Sequence, residues 1–357
     1  MNNHEPLLMD CTLRDGSYVI DFQFNQKDTF DLTQKLSESK IPLIEVGHGI
    51  GLGASKKGLG TAACSDEEYC ISASEGIRGN SKWGMFCIPG ISSIDDLKMA
   101  ISYGIDFIRI GSDIDDIESS KKYIEIAKNA GLQVFSNFMK SYKTDPKGFA
   151  ELAKKSADYG TDVVYIVDSS GGMYPEDLKI YIRETLDKNL PIELGFHGHN
   201  NLGMGMANCL VSLQEGVKYL DSSLQGLGRS AGNVSTEHLL CAIKNQGFLP
   251  EIDPIEVMDI GEIYVRPLIS SYGFSSLDIT AGWTLFHSSH MPTILMLSKK
   301  NQVDPRKLIK YIFDHKIENL NVENLEKMIH TMKKSINVKS QLKKWPTYFG
   351  EEEKLKK

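Results

Sequence analysis

The chain has 357 residues, 41% of them hydrophobic, which is enough to bury the core of one large α/β domain or of two smaller ones. Its 40 basic and 47 acidic residues give a formal net charge of -7, which argues against nucleic acid as the main partner. The sequence has no signal-peptide pattern and no run approaching the roughly 20 apolar residues that cross a bilayer, so we expect a cytoplasmic protein that binds no membrane.

Short apolar runs typical of buried strands recur along the chain. There are eight, at residues 7–11, 42–46, 82–87, 106–110, 132–136, 162–167, 192–196 and 217–221. Segments with helical spacing of apolar residues lie between them, and several end in a glycine where a helix C-cap needs a left-handed residue. This alternation predicts parallel strands joined by crossover helices.

The number of strand–helix units indicates the fold class. Eight units predict a closed (β/α)8 TIM barrel, a fold that typically takes about 250 residues. An open doubly wound sheet is the alternative, but no GxGxxG follows the first strand. From about residue 250 onward the pattern is helical. We predict a TIM-barrel catalytic domain over residues 1–250 and a helical C-terminal region over residues 251–357.

The cysteines show no metal-binding or redox pattern. None of them has CxxC spacing, and several lie in apolar stretches. This favours buried free thiols over disulfides or a zinc site. The residues are Cys11, Cys64, Cys70, Cys87, Cys209 and Cys241.

Polar residues at the ends of the predicted strands are the candidates for an active site, because a TIM barrel builds its site at the carboxyl ends of its strands. They are Arg14 and Asp15 after the first run, Glu45 and His48 with the second, Asp168 after the sixth, and His197 and His199 after the seventh. We expect these side chains to converge on one mouth of the barrel.

The stretch FHGHNN predicts a metal site. His197 and His199 stand at i and i+2 at a strand end, so they point to the same side and could give one metal two imidazoles. The alternative is that both rings bond to loop backbone. With Asp15 as an oxygen ligand, the set suits Mn²⁺ or Mg²⁺, with Zn²⁺ as a further option.

The glycine-rich stretch LQGLGRSAGN follows the eighth run. Glycines let the backbone approach a ligand closely, and Asn233 ends the stretch. Taken alone, such a stretch could equally be a flexible turn.

Five ordered motifs resemble the DRE-TIM metallolyase (HMGL-like) superfamily over roughly residues 7–245: TLRDG, LIEVGHG, VDSSGGMYPEDL, FHGHNNLGMGMAN and DSSLQGLGRSAGNVSTE. The Asp, Arg and Glu of that superfamily would be Asp15, Arg14 and Glu45. IEVGHGIGLGAS and DSSGGM resemble the 4-hydroxy-2-oxovalerate aldolases more closely than isopropylmalate synthase or 3-hydroxy-3-methylglutaryl-CoA lyase. The resemblance implies a class II pyruvate aldolase, a lyase that forms or cleaves a C–C bond through a metal-bound pyruvate enolate.

The resemblance also implies roles for the site residues. The metal would be held by Asp15, His197 and His199, and Arg14 would stabilise the enolate oxygen. The expected catalytic residues are Arg14, Tyr18, Glu45 and His48, and the expected substrate-binding residues are Arg14, Asp168, Ser169 and Asn233.

The chain departs from the aldolase pattern at two places. Tyr18 stands where the aldolases carry a histidine base, and a tyrosine with a reference pKa near about 10 is a poor base at neutral pH. Tyr18 therefore either moves a proton or only shapes the pocket, and His48, His287 or His290 could replace the missing histidine.

The second departure lies in the helical region. Thr280 and Trp283 stand where the aldolases carry a functional tyrosine, so we expect an aldehyde other than acetaldehyde.

Two other functions remain open. One is an acyl-CoA-dependent condensing enzyme of the same superfamily, and the other is a non-catalytic barrel that binds a metal or a keto acid. The expected partners are a small keto acid, an aldehyde and further copies of the chain. The partner dehydrogenase of the aldolases is a weaker expectation, because the C-terminal part resembles theirs only loosely.

Overall fold

The structure is a computed structural model and describes residues 5–269 and 276–335. Eight parallel strands close into a barrel in chain order, each paired with its neighbours and the last with the first. They are β1 (Leu7–Asp10), β2 (Leu43–Val46), β3 (Lys82–Cys87), β4 (Phe107–Asp113), β5 (Gln133–Met139), β6 (Val163–Asp168), β7 (Glu193–Gly198) and β8 (Tyr219–Ser222). Each lies on a predicted apolar run, and the prediction of a TIM barrel is confirmed.

One helix follows each strand and packs outside the barrel. These helices are α1 (Gln26–Glu38), α2 (Asp66–Gly76), α3 (Ile94–Ser102), α4 (Lys121–Asn129), α5 (Pro146–Tyr159), α6 (Pro175–Leu186), α7 (Gly205–Gln214) and α8 (Thr236–Lys244). Helix α1 begins with a capping box in which the Asn25 side chain accepts from the Asp28 backbone N–H and the Asp28 carboxylate accepts from Asn25 N–H. Such local signals set where the helices begin.

Aromatic side chains fill the barrel beneath the carboxyl ends of the strands. Phe135 lies at their centre, with its ring edge-on to Phe107 at 5.3 Å, Tyr219 at 5.2 Å and Tyr165 at 6.0 Å. All four are buried. Because side chains fill this part of the barrel, a ligand could bind only at the mouth above it.

Helices also make up the described part of the C-terminal region, as predicted. They are α9 (Pro254–Ile260), α10 (Ser276–Trp283), α11 (Met291–Asn301), α12 (Pro305–Asp314) and α13 (Val322–Ser335). The last four share a core of their own that includes Leu297, Leu308 and Ile329. Residues 336–357 of the predicted helical region lie outside the described residues, and the domain boundary at residue 250 stays a prediction.

Two expectations from composition can be compared with the described residues. No helix among them has both the length and the apolar composition needed to cross a bilayer. All six cysteines have free side chains in the structure, five of them buried and Cys241 half-buried.

Candidate active site

The turn after β1 brings Arg14 and Asp15 into the mouth of the barrel. The carbonyl of Cys11 accepts from the backbone N–H groups of Arg14 at 3.1 Å and Asp15 at 2.8 Å, which makes the turn tight. A 3₁₀ helix, Asp15–Ile20, starts directly after it. Both side chains are buried, with 6% of Arg14 and 2% of Asp15 exposed. Two adjacent charges can stay buried here because they contact each other.

Arg14 is held by two carboxylates and an aromatic ring. Its Nη1 donates to Asp15 Oδ1 at 2.6 Å and its Nε to Glu45 Oε2 at 2.8 Å, and its guanidinium lies 4.8 Å from the centre of the Phe86 ring. Burial lowers the pKa of Arg14, but the charges of Glu45 and Asp15 outweigh it and hold the pKa above its usual value. The guanidinium is therefore a fixed positive charge at the mouth.

Asp15, His197 and His199 come together in the way a metal requires. Each offers one ligand atom, and these atoms lie within 4.8 Å of one another. The two imidazoles are 5.1 Å apart and nearly perpendicular. Burial raises the pKa of Asp15, but Arg14, the two histidines and the hydrogen bond from Asn233 together outweigh it and hold the pKa below its usual value, so the carboxylate is ionised.

The two histidines of this candidate metal site differ in their hydrogen bonding and surroundings. Nδ1 of His197 bonds Asp221 Oδ2 at 2.8 Å, which leaves Nε2 for the site. Burial lowers the pKa of His199 to about 3, so this ring is neutral. Within residues 5–269 and 276–335, the buried Nδ1 of His199 has no hydrogen-bond partner. One carboxylate and two imidazole nitrogens fit a divalent cation.

The glycine-rich loop after β8 positions Asp15. Asn233 Nδ2 donates to Asp15 Oδ2 at 2.9 Å, and the backbone N–H of Arg229 donates to the same oxygen at 3.2 Å. At Gly228 a Cβ atom would lie 2.9 Å from that oxygen and 2.5 Å from Asn233 Nδ2, so only glycine fits without a shift. Asn233, predicted to bind substrate, thus contacts the carboxylate of the candidate metal site.

A buried arginine beneath the site joins the two carboxylates that hold Arg14 and His197. Arg109 Nη1 donates to Glu45 Oε2 at 2.9 Å, and Nη2 donates to Asp221 Oδ2 at 2.5 Å. Arg109 is 0% exposed. The result is a continuous chain of charges that fixes both Arg14 and His197.

Neither Arg109 nor Asp221 was among the residues predicted from the sequence. The available signal was a charge inside an apolar strand run, DFIRI for Arg109 and VKYLD for Asp221. A charged residue in a buried strand normally has a partner of opposite charge.

The His48 side chain contacts the loop after β2 and is not part of the group formed by Asp15, His197 and His199. Its Nδ1 accepts from Ile50 N–H at 3.1 Å, its Nε2 lies 3.3 Å from the carbonyl of Gly60, and its ring stacks on Phe22 at 3.9 Å. Burial lowers the pKa of His48 to about 4. The ring thus ties together the loop after β2.

The two predicted residues after β6 differ in their surroundings. Asp168 does not line the pocket around Arg14 and Asp15. Its carboxylate accepts from the backbone N–H groups of Gly172 at 3.2 Å and Met173 at 2.9 Å. Burial raises the pKa of Asp168 to about 6. Ser169 lines the pocket, and its Oγ accepts from the backbone N–H of Lys140 at 3.0 Å.

The site lies in a pocket of about 60 Å³, beside a larger cavity of about 330 Å³. Tyr18 and Arg229 line the inner pocket, where the Arg229 guanidinium lies 5.5 Å from the Tyr18 ring centre. His287 lines both spaces. Four residues line both spaces: Ile50, Ile88, Met139 and His287.

The other residues considered from the helical region lie elsewhere. Thr280 and Trp283 line a separate surface cleft beside Lys310 and Tyr311. His290 is half-buried and does not line the inner pocket. Among the alternatives to the missing histidine, His287 is therefore the one that the structure places at the site.

A closed parallel barrel whose mouth carries a carboxylate, two histidines and a buried arginine defines a TIM-barrel protein with a candidate metal site. The sequence profile of the HMGL-like family matches residues 5–263, and the chain belongs to that family.

Relatives agree with this assignment, and a solved structure shares the fold. The 4-hydroxy-2-oxovalerate aldolase of Carboxydothermus hydrogenoformans is 33% identical over 303 residues, 85% of this chain and 90% of that protein. The 4-hydroxy-2-oxovalerate aldolase 2 of Rhodococcus jostii is 38% identical over 262 residues, 73% of this chain and 76% of that protein. The HMG-CoA lyase of Brucella melitensis shares the fold, with a TM-score of 0.64 at 19% identity, over 75% of this chain and 100% of that chain.

The predicted membership of the DRE-TIM metallolyases, close to 4-hydroxy-2-oxovalerate aldolase, is confirmed. The similarity supports an aldolase, that is, a carbon–carbon lyase, of this family.

Proposed function

We propose that this protein is a class II aldolase that forms or cleaves a C–C bond through the enolate of pyruvate, with an aldehyde other than acetaldehyde as the second substrate. The observation that carries the proposal is the contact of Arg14 with Asp15 at 2.6 Å, beside two histidines whose ligand atoms lie within 4.8 Å of one another and of that carboxylate. The 330 Å³ cavity beside the inner pocket supports this choice, because it offers room for an aldehyde larger than acetaldehyde.

Asp15, His197 and His199 would hold the metal, for which we propose Mn²⁺ or Mg²⁺. When bound, a divalent cation supplies Lewis acidity where negative charge develops on the keto acid. Arg14, fixed by Glu45, would donate to the enolate oxygen and stabilise it without having to reorganise. Glu45 acts by holding Arg14 in place.

Tyr18 is our candidate for moving the proton of the substrate hydroxyl. In cleavage, an ionised Tyr18 would accept the proton of that hydroxyl, the C–C bond would break to leave its electron pair on the enolate, and the aldehyde would depart. The enolate carbon would then take up a proton to give pyruvate. His48 is a poor candidate because both of its ring nitrogens lie at backbone groups. In His287, Nδ1 accepts from the Ser289 N–H at 3.2 Å, so its neutral ring carries the proton on Nε2 and acts as a donor.

The other predicted residues receive supporting roles. We propose that Ser169, which lines the pocket, contacts the substrate, and that Asn233 acts by holding Asp15. Asp168 and His48 would keep their loops in place. Self-association, the partner dehydrogenase and the location in the cytoplasm stay predictions.

We expect the protein to exchange the methyl protons of pyruvate with deuterium from solvent in the presence of Mn²⁺ or Mg²⁺. Exchange requires the enolate but no aldehyde, so mass spectrometry of pyruvate in D₂O tests the central step by itself. Chelation should stop the exchange and either metal should restore it. Exchange that survives chelation would contradict the proposal, and its absence with both metals and a panel of aldehydes would favour the acyl-CoA-dependent or binding-only alternatives.

Tyr18→Phe is expected to lower kcat for cleavage of a 4-hydroxy-2-keto acid by about 10²-fold or more, the usual contribution of a general acid–base. The ring would still fill its place beside Phe22, so KM should change little. The matched control is Tyr174→Phe, since Tyr174 is 51% exposed. A raised KM with an unchanged kcat would show that Tyr18 only shapes the pocket.

A further inference from the structure

His287 lies at the boundary between the inner pocket and the larger cavity. The residue lines both spaces and is 9% exposed. It directly precedes the short 3₁₀ helix Ser288–His290, and its side chain accepts from the backbone N–H of Ser289 at 3.2 Å, as an N-cap does. This contact fixes the orientation of the ring between the two spaces.

The hydrogen bonds of the His287 ring determine where its proton lies. Nδ1 accepts from Ser289 N–H and lies 2.7 Å from Ser289 Oγ. Burial, followed by the positive charges of Arg229 and Lys140, holds the pKa of His287 well below its usual value, so the ring is neutral and carries its proton on Nε2. Within residues 5–269 and 276–335, Nε2 has no hydrogen-bond partner. An N–H donor therefore remains for a ligand in the spaces that this residue lines.

The reacting bond of the proposed aldol cleavage would also lie at this boundary. The keto acid would bind in the inner pocket beside Arg14, and the aldehyde would occupy the cavity of about 330 Å³. The bond that breaks joins these two parts of the substrate. The oxygen that becomes the aldehyde carbonyl is on the carbon at the cavity end of that bond, so a residue that lines both spaces is placed to contact it.

We propose that His287 donates a hydrogen bond from Nε2–H to this oxygen, which is the substrate hydroxyl in cleavage and the aldehyde carbonyl in condensation. The inference rests on the proposed aldolase function and adds a catalytic residue to it. In cleavage, Tyr18 accepts the hydroxyl proton, negative charge develops on the oxygen, and the C–C bond breaks with its electron pair going to the enolate. The imidazole proton stays on Nε2 throughout.

A neutral histidine suits this role. A donor held in place stabilises negative charge that develops in the transition state without having to reorganise. A neutral imidazole can polarise an oxygen while keeping its own proton, as occurs in enzymes that hold the pKa of a histidine low. The N-cap contact uses only Nδ1, so it gives no reason for Nε2–H to lie at the site, whereas donation to the substrate does.

The test compares two rates of the metal-loaded full-length protein, cleavage of a 4-hydroxy-2-keto acid and deuterium exchange into pyruvate. Exchange involves no aldehyde oxygen, so the ratio of cleavage to exchange isolates the proposed contact. The keto acids run from 4-hydroxy-2-oxopentanoate to 4-hydroxy-2-oxooctanoate, and the variants are assayed with the one that the unmodified protein cleaves fastest. Because each ratio is measured within one variant, a partial loss of folded protein does not alter it.

Two substitutions separate the proposed donor from the N-cap. His287→Asn keeps an acceptor close to the place of Nδ1 but no donor as far out as Nε2, so the ratio should fall about 10²–10³-fold through kcat, the usual cost of one such donor. His287→Gln carries an amide N–H that reaches the place of Nε2, and its ratio should exceed that of His287→Asn at least about 10-fold. His290→Gln is the matched control, because His290 belongs to the same short helix but does not line the inner pocket, and it should keep the ratio.

Several outcomes would overturn the inference. They are an unchanged ratio in His287→Asn, a ratio in His287→Gln no higher than in His287→Asn, an equal loss in His290→Gln, and an unmodified protein that exchanges pyruvate protons but cleaves none of the keto acids. If the unmodified protein exchanges deuterium while one of these is found, the role of His287 fails and the proposed enolate step stands. If exchange is absent with both metals and a panel of aldehydes, both fail.

Discussion

Replacing His199 with alanine is expected to abolish metal-dependent deuterium exchange into pyruvate, with a loss of at least about 10³-fold. The variant removes one of the two imidazoles in the proposed metal site, and the remaining groups, Asp15 and His197, would hold the cation weakly. The buried His199 ring would leave a polar cavity rather than a substitute ligand. Catalysis by charge stabilisation should fall with the bound cation.

Metal affinity gives a measurement of His199→Ala that does not depend on activity. Calorimetric titration with Mn²⁺ should show at least about 10²-fold weaker binding than in the unmodified protein. His330→Ala is the matched control, because His330 is exposed on α13 and should leave both Mn²⁺ binding and exchange as they were. Unchanged Mn²⁺ affinity in His199→Ala would remove this histidine from the proposed ligands.

Arg109→Met should destabilise the fold by about 3–5 kcal/mol, the usual cost of removing one partner from a buried ion pair. The variant leaves Glu45 and Asp221 buried without the guanidinium that lies between them. We also expect weaker metal binding, by about 10–100-fold, because Asp221 orients the His197 ring. Thermal unfolding followed by circular dichroism measures the first effect, and Mn²⁺ titration measures the second.

Arg183→Met provides the comparison for this prediction. Arg183 also contacts a carboxylate, Glu215, at 2.7 Å, but its side chain is 63% exposed. Exposed ion pairs contribute about 0–1 kcal/mol, so this variant should unfold at nearly the original temperature. Equal effects of the two variants would show that burial of the Arg109 network does not matter to stability.

Local patterns were enough to predict the barrel and its helical C-terminal region. The eight strand runs coincide with β1 to β8 because a buried parallel strand needs an uninterrupted apolar run, and that requirement is visible in the sequence. Helix starts such as Asn25 and Ser65 depend on residues three positions apart, so they too can be read locally. The position of a residue at a strand end likewise predicted that Arg14, Asp15, His197 and His199 meet.

The partners of these residues depended on the tertiary structure. Arg109 lies 112 positions before Asp221, and their contact arises because the barrel closes with both side chains turned inward. His48 stands at a strand end like Arg14, but the path of its loop turns both ring nitrogens to backbone groups.

Asn233 and Arg229 show the same limit in the loop after β8. One-dimensional spacing identifies which residues reach the mouth of a barrel, because strand direction is a local property. Which atoms face each other there depends on strand register, loop path and rotamer, and these are set only when distant segments pack together.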